Sequence, residues 1–138
     1  MITVEKIQLS IVIPTKNEGK YIGPTIGQFE PYFEKYNLEI IVSDADSKDE
    51  TAEVVRACQA RFGERVKFVQ STGKQNIAIG RSLGAAVAAG DILFHMDADV
   101  HIPDKDRFFT TVFSKFAHSD IVAATVPIWI YPEESGLM

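Results

Sequence analysis

Short β-branched runs alternate with longer stretches of helical period along this chain. Leu9–Pro14, Leu38–Ser43, Val66–Gln70, Ile92–Met96 and Ile121–Val126 are each apolar and each stop at a proline, an aspartate or a Ser-Thr-Gly turn. Runs of this length predict strands buried on both faces. Between them lie four helical patterns. The first, Tyr21–Tyr36, should break near Gly23-Pro24 or at Pro31. The second, Thr51–Phe62, places Val54, Val55, Cys58 and Phe62 on one face. Ser47 and Glu50 before it match a capping box, and Gly63 is its stop. The third, Asn76–Ala89, carries Gly80, Gly84 and several alanines that would let it lie close to a sheet. Phe108–Phe116 is the last.

Strand–helix alternation with short connections predicts an α/β fold: a mostly parallel sheet with helices on both faces, residues 1–138 forming one domain. Ligands of such sheets bind at the carboxyl ends of the strands, so the residues that follow each strand matter most. They are Pro14-Thr15-Lys16-Asn17-Glu18-Gly19, Asp44-Ala45-Asp46-Ser47-Lys48-Asp49, Ser71-Thr72-Gly73-Lys74-Gln75 and Asp97-Ala98-Asp99. Acidic groups dominate this edge, with Lys74 and Arg81 nearby. Crowded carboxylates repel one another unless a cation lies between them. The edge therefore reads as a site for a divalent metal and a phosphate-bearing ligand.

An isolated Asp-x-Asp reads first as a turn residue and a solvated neighbour. Asp97 and Asp99 instead follow a buried strand and face three other polar loops, which favours metal ligation by oxygen. Asp44 ends the second strand, where a carboxylate can accept a hydrogen bond from an imide N–H such as that of uracil. Asp46 or Ser47 reads as a turn or cap residue. Lys74 alone reads as a surface charge. Arg81 sits among small residues, where a long cation needs a reason. His95 reads as a core histidine, His118 as a residue at a helix end.

Composition narrows the classes. The 138 residues are 46% hydrophobic and 24% charged, as in an ordinary folded domain. The net charge is -5 and no Lys/Arg-rich run occurs, which argues against nucleic acid as a partner. Cys58 is the single cysteine, read as a buried thiol in a reducing, cytoplasmic compartment. No apolar run reaches the length of a membrane span.

With these segments in view, the chain resembles the family 2 glycosyltransferases of GT-A fold. The stretches that carry the likeness are SIVIPTKNEGKYI, SDADSKDET, GKQNIAIGRSLGAAVAAGDILFHMDADV and Pro103. Residues Gly73–Asp99 look most like dolichol-phosphate mannose synthases and glucosyl-phosphoglycerate synthases. The resemblance implies a nucleotide-diphosphate sugar as donor and Mn2+ or Mg2+ as cofactor. It implies that Pro14, Thr15 and Glu18 line the nucleoside pocket and that Asp44 reads the base. Lys74 and Arg81 would face the base or the diphosphate. Asp97 would approach the ribose or the metal and Asp99 would bind the metal. His101 stands where the synthases carry a further metal-reaching glutamine. The implied acceptor is a lipid phosphate or a phosphoglycerate. The sequence departs from the pattern at Ala45, where a second acidic residue is usual, at Asp46, where glycine is usual, and at Gly80, where alanine is common.

Members of that family continue into an acceptor-binding half that supplies the general base. No base is evident here: Glu133 and Glu134 read as solvated loop. The chain is therefore expected to be a donor-binding half, its apolar Ile128–Tyr131 tail packing on a second copy, a partner half or a membrane surface. Three other readings stand beside the enzyme. One is a donor-binding module without turnover, and another a degenerate relative with a structural role only. The third is a phosphohydrolase of haloacid dehalogenase type, because Met96–Val100 fits its Asp-x-Asp-x-Val pattern; there the motif follows the first strand, not the fourth.

Overall fold

The computed structural model describes residues 6–72, 76–118 and 120–126. These fall into two compact units divided between Pro103 and Asp104. The first unit holds four strands, β1 (Leu9–Thr15), β2 (Leu38–Asp44), β3 (Val66–Gln70) and β4 (Ile92–His95), and three α-helices, α1 (Gly19–Gly27), α2 (Thr51–Phe62) and α3 (Ile77–Ala86). The strands form one parallel sheet in the order β3-β2-β1-β4. β1 and β2 are central and buried throughout, apart from half-buried Pro14, which is why their sequences are almost unbroken β-branched runs. Each fully buried Ile or Leu there contributes about 1.5–3 kcal/mol of transfer free energy.

Helices cover both faces, as the alternation predicts. α3 lies on the face formed by Val12, Ile41 and Ser43. It lies so close that a Cβ added at Gly84 would stand 2.5 Å from Val12 Cγ1. α2 lies on the other face, its Arg56 guanidinium 5.9 Å from the ring of Phe68, the register partner of Val42. α1 packs beside α2, with Gly23 under Val54. At the amino end of the sheet, buried Glu39 accepts hydrogen bonds from Ser10 Oγ (2.6 Å) and Ala89 N (2.6 Å) and pairs with Lys67 (2.7 Å). Burial pushes the Glu39 carboxyl up, but these partners outweigh it and hold it below the ordinary range. This network ties the turn after α3 to β1 and β2, opposite the strand ends that carry the site.

Several expectations are corrected. The first helical stretch ends at Gly27 rather than Tyr36, and Pro24 lies inside it. The chain breaks instead into a 3-10 turn at Glu30–Tyr32 that contains Pro31. Ser47 does not cap α2, whose N-cap position is Glu50 with no side-chain bond. Ser47 bonds Asp44 instead. Gly63 does end α2, at φ +66°. Cys58 is half-buried, and burial raises its thiol pKa. His95 is exposed, because β4 has no second neighbour among the described residues; partial burial and then Arg81 lower its pKa.

The second unit holds α4 (Lys105–Phe116), which begins three residues before the predicted start because Asp104 caps it, accepting from Arg107 N at 3.1 Å. Ile121–Val126 forms no strand, and Val122 is 90% exposed. Its β-branched run has strand propensity, but a strand needs a neighbour to bond. The apolar tail from Ile128 to Tyr131, with Glu133 and Glu134, lies outside the described residues. No described helix is long and apolar enough to cross a membrane.

Candidate functional site

The carboxyl ends of β1, β2 and β4 and the start of α3 enclose a cleft of about 600 Å³. β1 and its loop contribute Pro14, Thr15, Lys16 and Glu18; the end of β2 contributes Ser43 and Ala45. Asn76, which caps α3, and Ile77 and Gly80 within it also line the cleft, as do Asp97, Ala98 and Asp99. Pro14, Thr15, Glu18, Asp97 and Asp99, all singled out in the sequence, thus line one cleft. Lys16, Ser43, Ala45, Asn76, Ile77 and Gly80 are additions.

Two loops that follow neighbouring strands are clasped together. Asn17, at φ +54°, donates its N–H to Ser47 Oγ (2.7 Å) and accepts from Lys48 N (2.8 Å) on its side chain. Gly19 N donates to Asp49 Oδ2 (3.0 Å) and Glu18 N to Thr51 Oγ1 (3.0 Å). Lys16 Nζ donates to the carbonyls of Ala45 (2.7 Å) and Asp46 (2.9 Å). Asp46 has φ +54°, a left-handed conformation that suits glycine, so its departure from the usual glycine falls where the backbone would favour it. Its exposed carboxylate is held low by Lys48.

The loop after β4 is held from α1. Thr25 Oγ1 donates to Ala98 O (2.5 Å), Gln28 Nε2 to Val100 O (2.9 Å), and Ile102 N to Gln28 Oε1 (2.9 Å). These bonds fix the backbone on both sides of Asp99, which stays exposed. Arg81 reaches from α3 to Asp97, Nη2 to Oδ1 at 3.4 Å, and its buried Nε has no partner among the described residues. Glu18 feels this end of the cleft. Desolvation raises its pKa most, followed by the charges of Asp99, Asp49 and Asp97.

Other predicted residues are placed differently. Asp44 is 1% exposed and does not line the cleft. Its carboxylate accepts from Thr15 Oγ1 (2.7 Å), Ser47 Oγ (2.6 Å) and Ser47 N (2.9 Å). His101 is exposed on the loop beyond Asp99 and does not line the cleft. Asp97, Asp99 and His101 do not converge as a set: no three His, Cys, Asp or Glu side chains among the described residues are grouped to hold a metal. Lys74 lies outside the described residues.

The raised pKa of Glu18 sets a pH dependence. A carboxyl that is harder to ionise in the folded protein lowers stability as pH rises from its unfolded value, near 4.3, through its folded value. The deficit then persists at higher pH. Glu18→Gln removes it. In metal-free buffer the Gln variant should melt at a temperature that pulls ahead of wild type as pH rises from about 4 toward 7. Thermal melts at stepped pH check this, and parallel curves would show that the Glu18 carboxyl is no harder to ionise in the folded protein than in the unfolded one.

Residues 10–136 match the family described as glycosyl transferase family 2. A 4,4'-diaponeurosporenoate glycosyltransferase of Staphylococcus haemolyticus is 36% identical over 98 residues, covering 68% of this chain and 24% of that protein. A dolichol-phosphate mannosyltransferase of Pyrococcus furiosus is 29% identical over 97 residues, covering 70% of this chain and 27% of the relative. Among solved structures, a Pyrobaculum calidifontis mannosyltransferase in complex with GDP-Man and Mn2+ superposes with a TM-score of 0.66 at 26% identity, covering 78% of this chain and 32% of the other. The matched stretch is thus about a quarter of the length of these curated relatives.

Proposed function

This chain belongs to glycosyl transferase family 2, and from that premise we propose that its cleft binds a nucleotide-diphosphate sugar together with Mn2+ or Mg2+ and donates the sugar to an acceptor. The observation that carries the reading is that the carboxylates of Glu18, Asp97 and Asp99 line one cleft at the carboxyl ends of the strands. In a chain of net charge -5, such a cluster repels a bare diphosphate. It fits a divalent cation shared with phosphate oxygens, which needs only one or two protein carboxylates and no all-protein cage. Asp99, exposed on a pinned loop, would hold the ion, with Asp97 beside it. Such an ion would neutralise charge developing on the leaving nucleoside diphosphate. Arg81, whose Nε has no partner among the described residues and whose guanidinium makes a long contact to Asp97, would turn to the phosphates.

The relatives support this reading, one having been solved with GDP-Man and Mn2+. An acceptor that carries a phosphate, on a lipid or on a glycerate, accords with the likeness to a dolichol-phosphate mannosyltransferase. The phosphohydrolase alternative loses its support, since Asp97 follows the fourth strand of a sheet that matches another family.

Calorimetric titration of UDP and GDP, each with Mn2+ and with EDTA, tests the binding step. Binding that requires the ion is expected. A sugar-transfer assay on the same preparation tests turnover. Failure of every nucleoside diphosphate to bind in the presence of metal would overturn the proposal.

A further inference from the structure

The chain leaves the sheet after Met96, whose N–H still bonds Val12 O at 3.0 Å. Asp97–Val100 then form a turn with Asp99 at its third position, and the bond that closes it, Val100 N to Asp97 O, is long at 3.3 Å. The direction of this turn is set from α1. Thr25 Oγ1 donates to Ala98 O, on one side of Asp99. On the other side the Gln28 amide takes both backbone groups that flank His101: Nε2 donates to Val100 O (2.9 Å) and Oε1 accepts from Ile102 N (2.9 Å).

The helix that makes these bonds is itself firmly seated. Ile22 and Ile26 of α1 and Phe29 just beyond it are fully buried, and Thr25 is 6% exposed. Gln28 Nε2 also donates to Thr25 O (3.0 Å), which fixes the amide on the helix end. Glutamine suits this place because its amide presents a donor and an acceptor side by side, as a backbone C=O and N–H require. A carboxylate has no donor, and an ammonium has no acceptor. The same helix starts at Glu18, which lines the cleft with Asp97 and Asp99. One rigid element thus carries one cleft carboxylate at its start and braces the turn that carries another from its end.

We propose that Gln28, assisted by Thr25, is a positioning residue that holds the Asp99 carboxylate where the cation is bound, resting on the reading of the cleft as a metal-dependent donor site. Gln28 bonds only backbone groups around Asp99, so it acts through the place of the turn. Without the brace, the exposed Asp99 side chain spreads over more positions, and each ion bound must pay to order it.

Gln28→Met, of similar length but without the amide, provides the test. Calorimetry measures binding of UDP and GDP with Mn2+ to wild type, Gln28→Met, Asp99→Asn and the double variant, each well below its own melting temperature. Gln28→Met should weaken the tighter of the two nucleotides roughly 10-fold. On the Asp99→Asn background the same substitution should cost little more, because the carboxylate it positions is already gone. Thr25→Val should weaken binding in the same direction, and Thr25→Ser, which keeps the hydroxyl, should restore it. An equal loss on both backgrounds would show that the bonds serve only the fold and would overturn the role of Gln28. Binding by Gln28→Met as tight as that of wild type would also overturn it and leave the donor reading standing. If wild type binds no nucleoside diphosphate with metal, the donor reading falls and this role with it.

Discussion

Asp99→Asn should lower the affinity for nucleoside diphosphate in Mn2+ on the order of 100-fold, about 2.7 kcal/mol, while leaving the fold intact. Asp99 is exposed, so the substitution empties no core. The backbone beside it is held by Thr25 on Ala98 O and by Gln28 on Val100 O, and neither bond involves the Asp99 side chain. Asparagine keeps the shape and removes the charge that an oxygen-ligated cation requires. In EDTA the effect should shrink or change sign. The carboxylate then only repels phosphate, so the Asn variant should bind as well as wild type or slightly better. Calorimetry in both buffers gives the four affinities. Equal affinities of the two proteins in Mn2+ would show that Asp99 does not hold the ion.

The residues on which this prediction rests differ in how visible they are in the sequence. Asp99 is legible because two signals coincide: a strand stops, and carboxylates begin. The same logic finds Pro14, Thr15 and Glu18. It works because a parallel sheet leaves its loops at the carboxyl ends of the strands, so chain order alone collects them. Thr25 and Gln28 give no such signal. Their partners lie 72 to 74 residues away, and nothing in the local sequence of a helix says which loop its polar side chains will meet.

Burial is the second place where pattern and structure part. A run such as Ile92–Met96 reads the same at an edge as in the centre of a sheet. His95 is taken for a core residue until the strand order puts β4 outermost among the described strands. Ile121–Val126 fails for the related reason that propensity does not supply a partner. Asp44 shows burial of another kind: its carboxylate, read in the sequence as open to a base, is 1% exposed and accepts bonds from Thr15 and Ser47.

Those bonds set the second large effect. Asp44→Ala should destabilise the protein by about 3 kcal/mol, which for a domain of this size lowers the melting temperature by roughly 10 °C. Removing the carboxylate strands three donors, Thr15 Oγ1, Ser47 Oγ and Ser47 N, each left beside a group that no longer accepts. Water cannot readily replace it at a site that is 1% exposed. A group that merely touched a base would cost nothing when the ligand is absent, so the melt of the free protein separates the two roles. Thr15 and Ser47 belong to the two clasped loops, so loosening them should also weaken pyrophosphate binding along with whole-nucleotide binding. A stable Asp44→Ala variant that binds pyrophosphate normally and loses only whole nucleotides would return the base-reading role to Asp44.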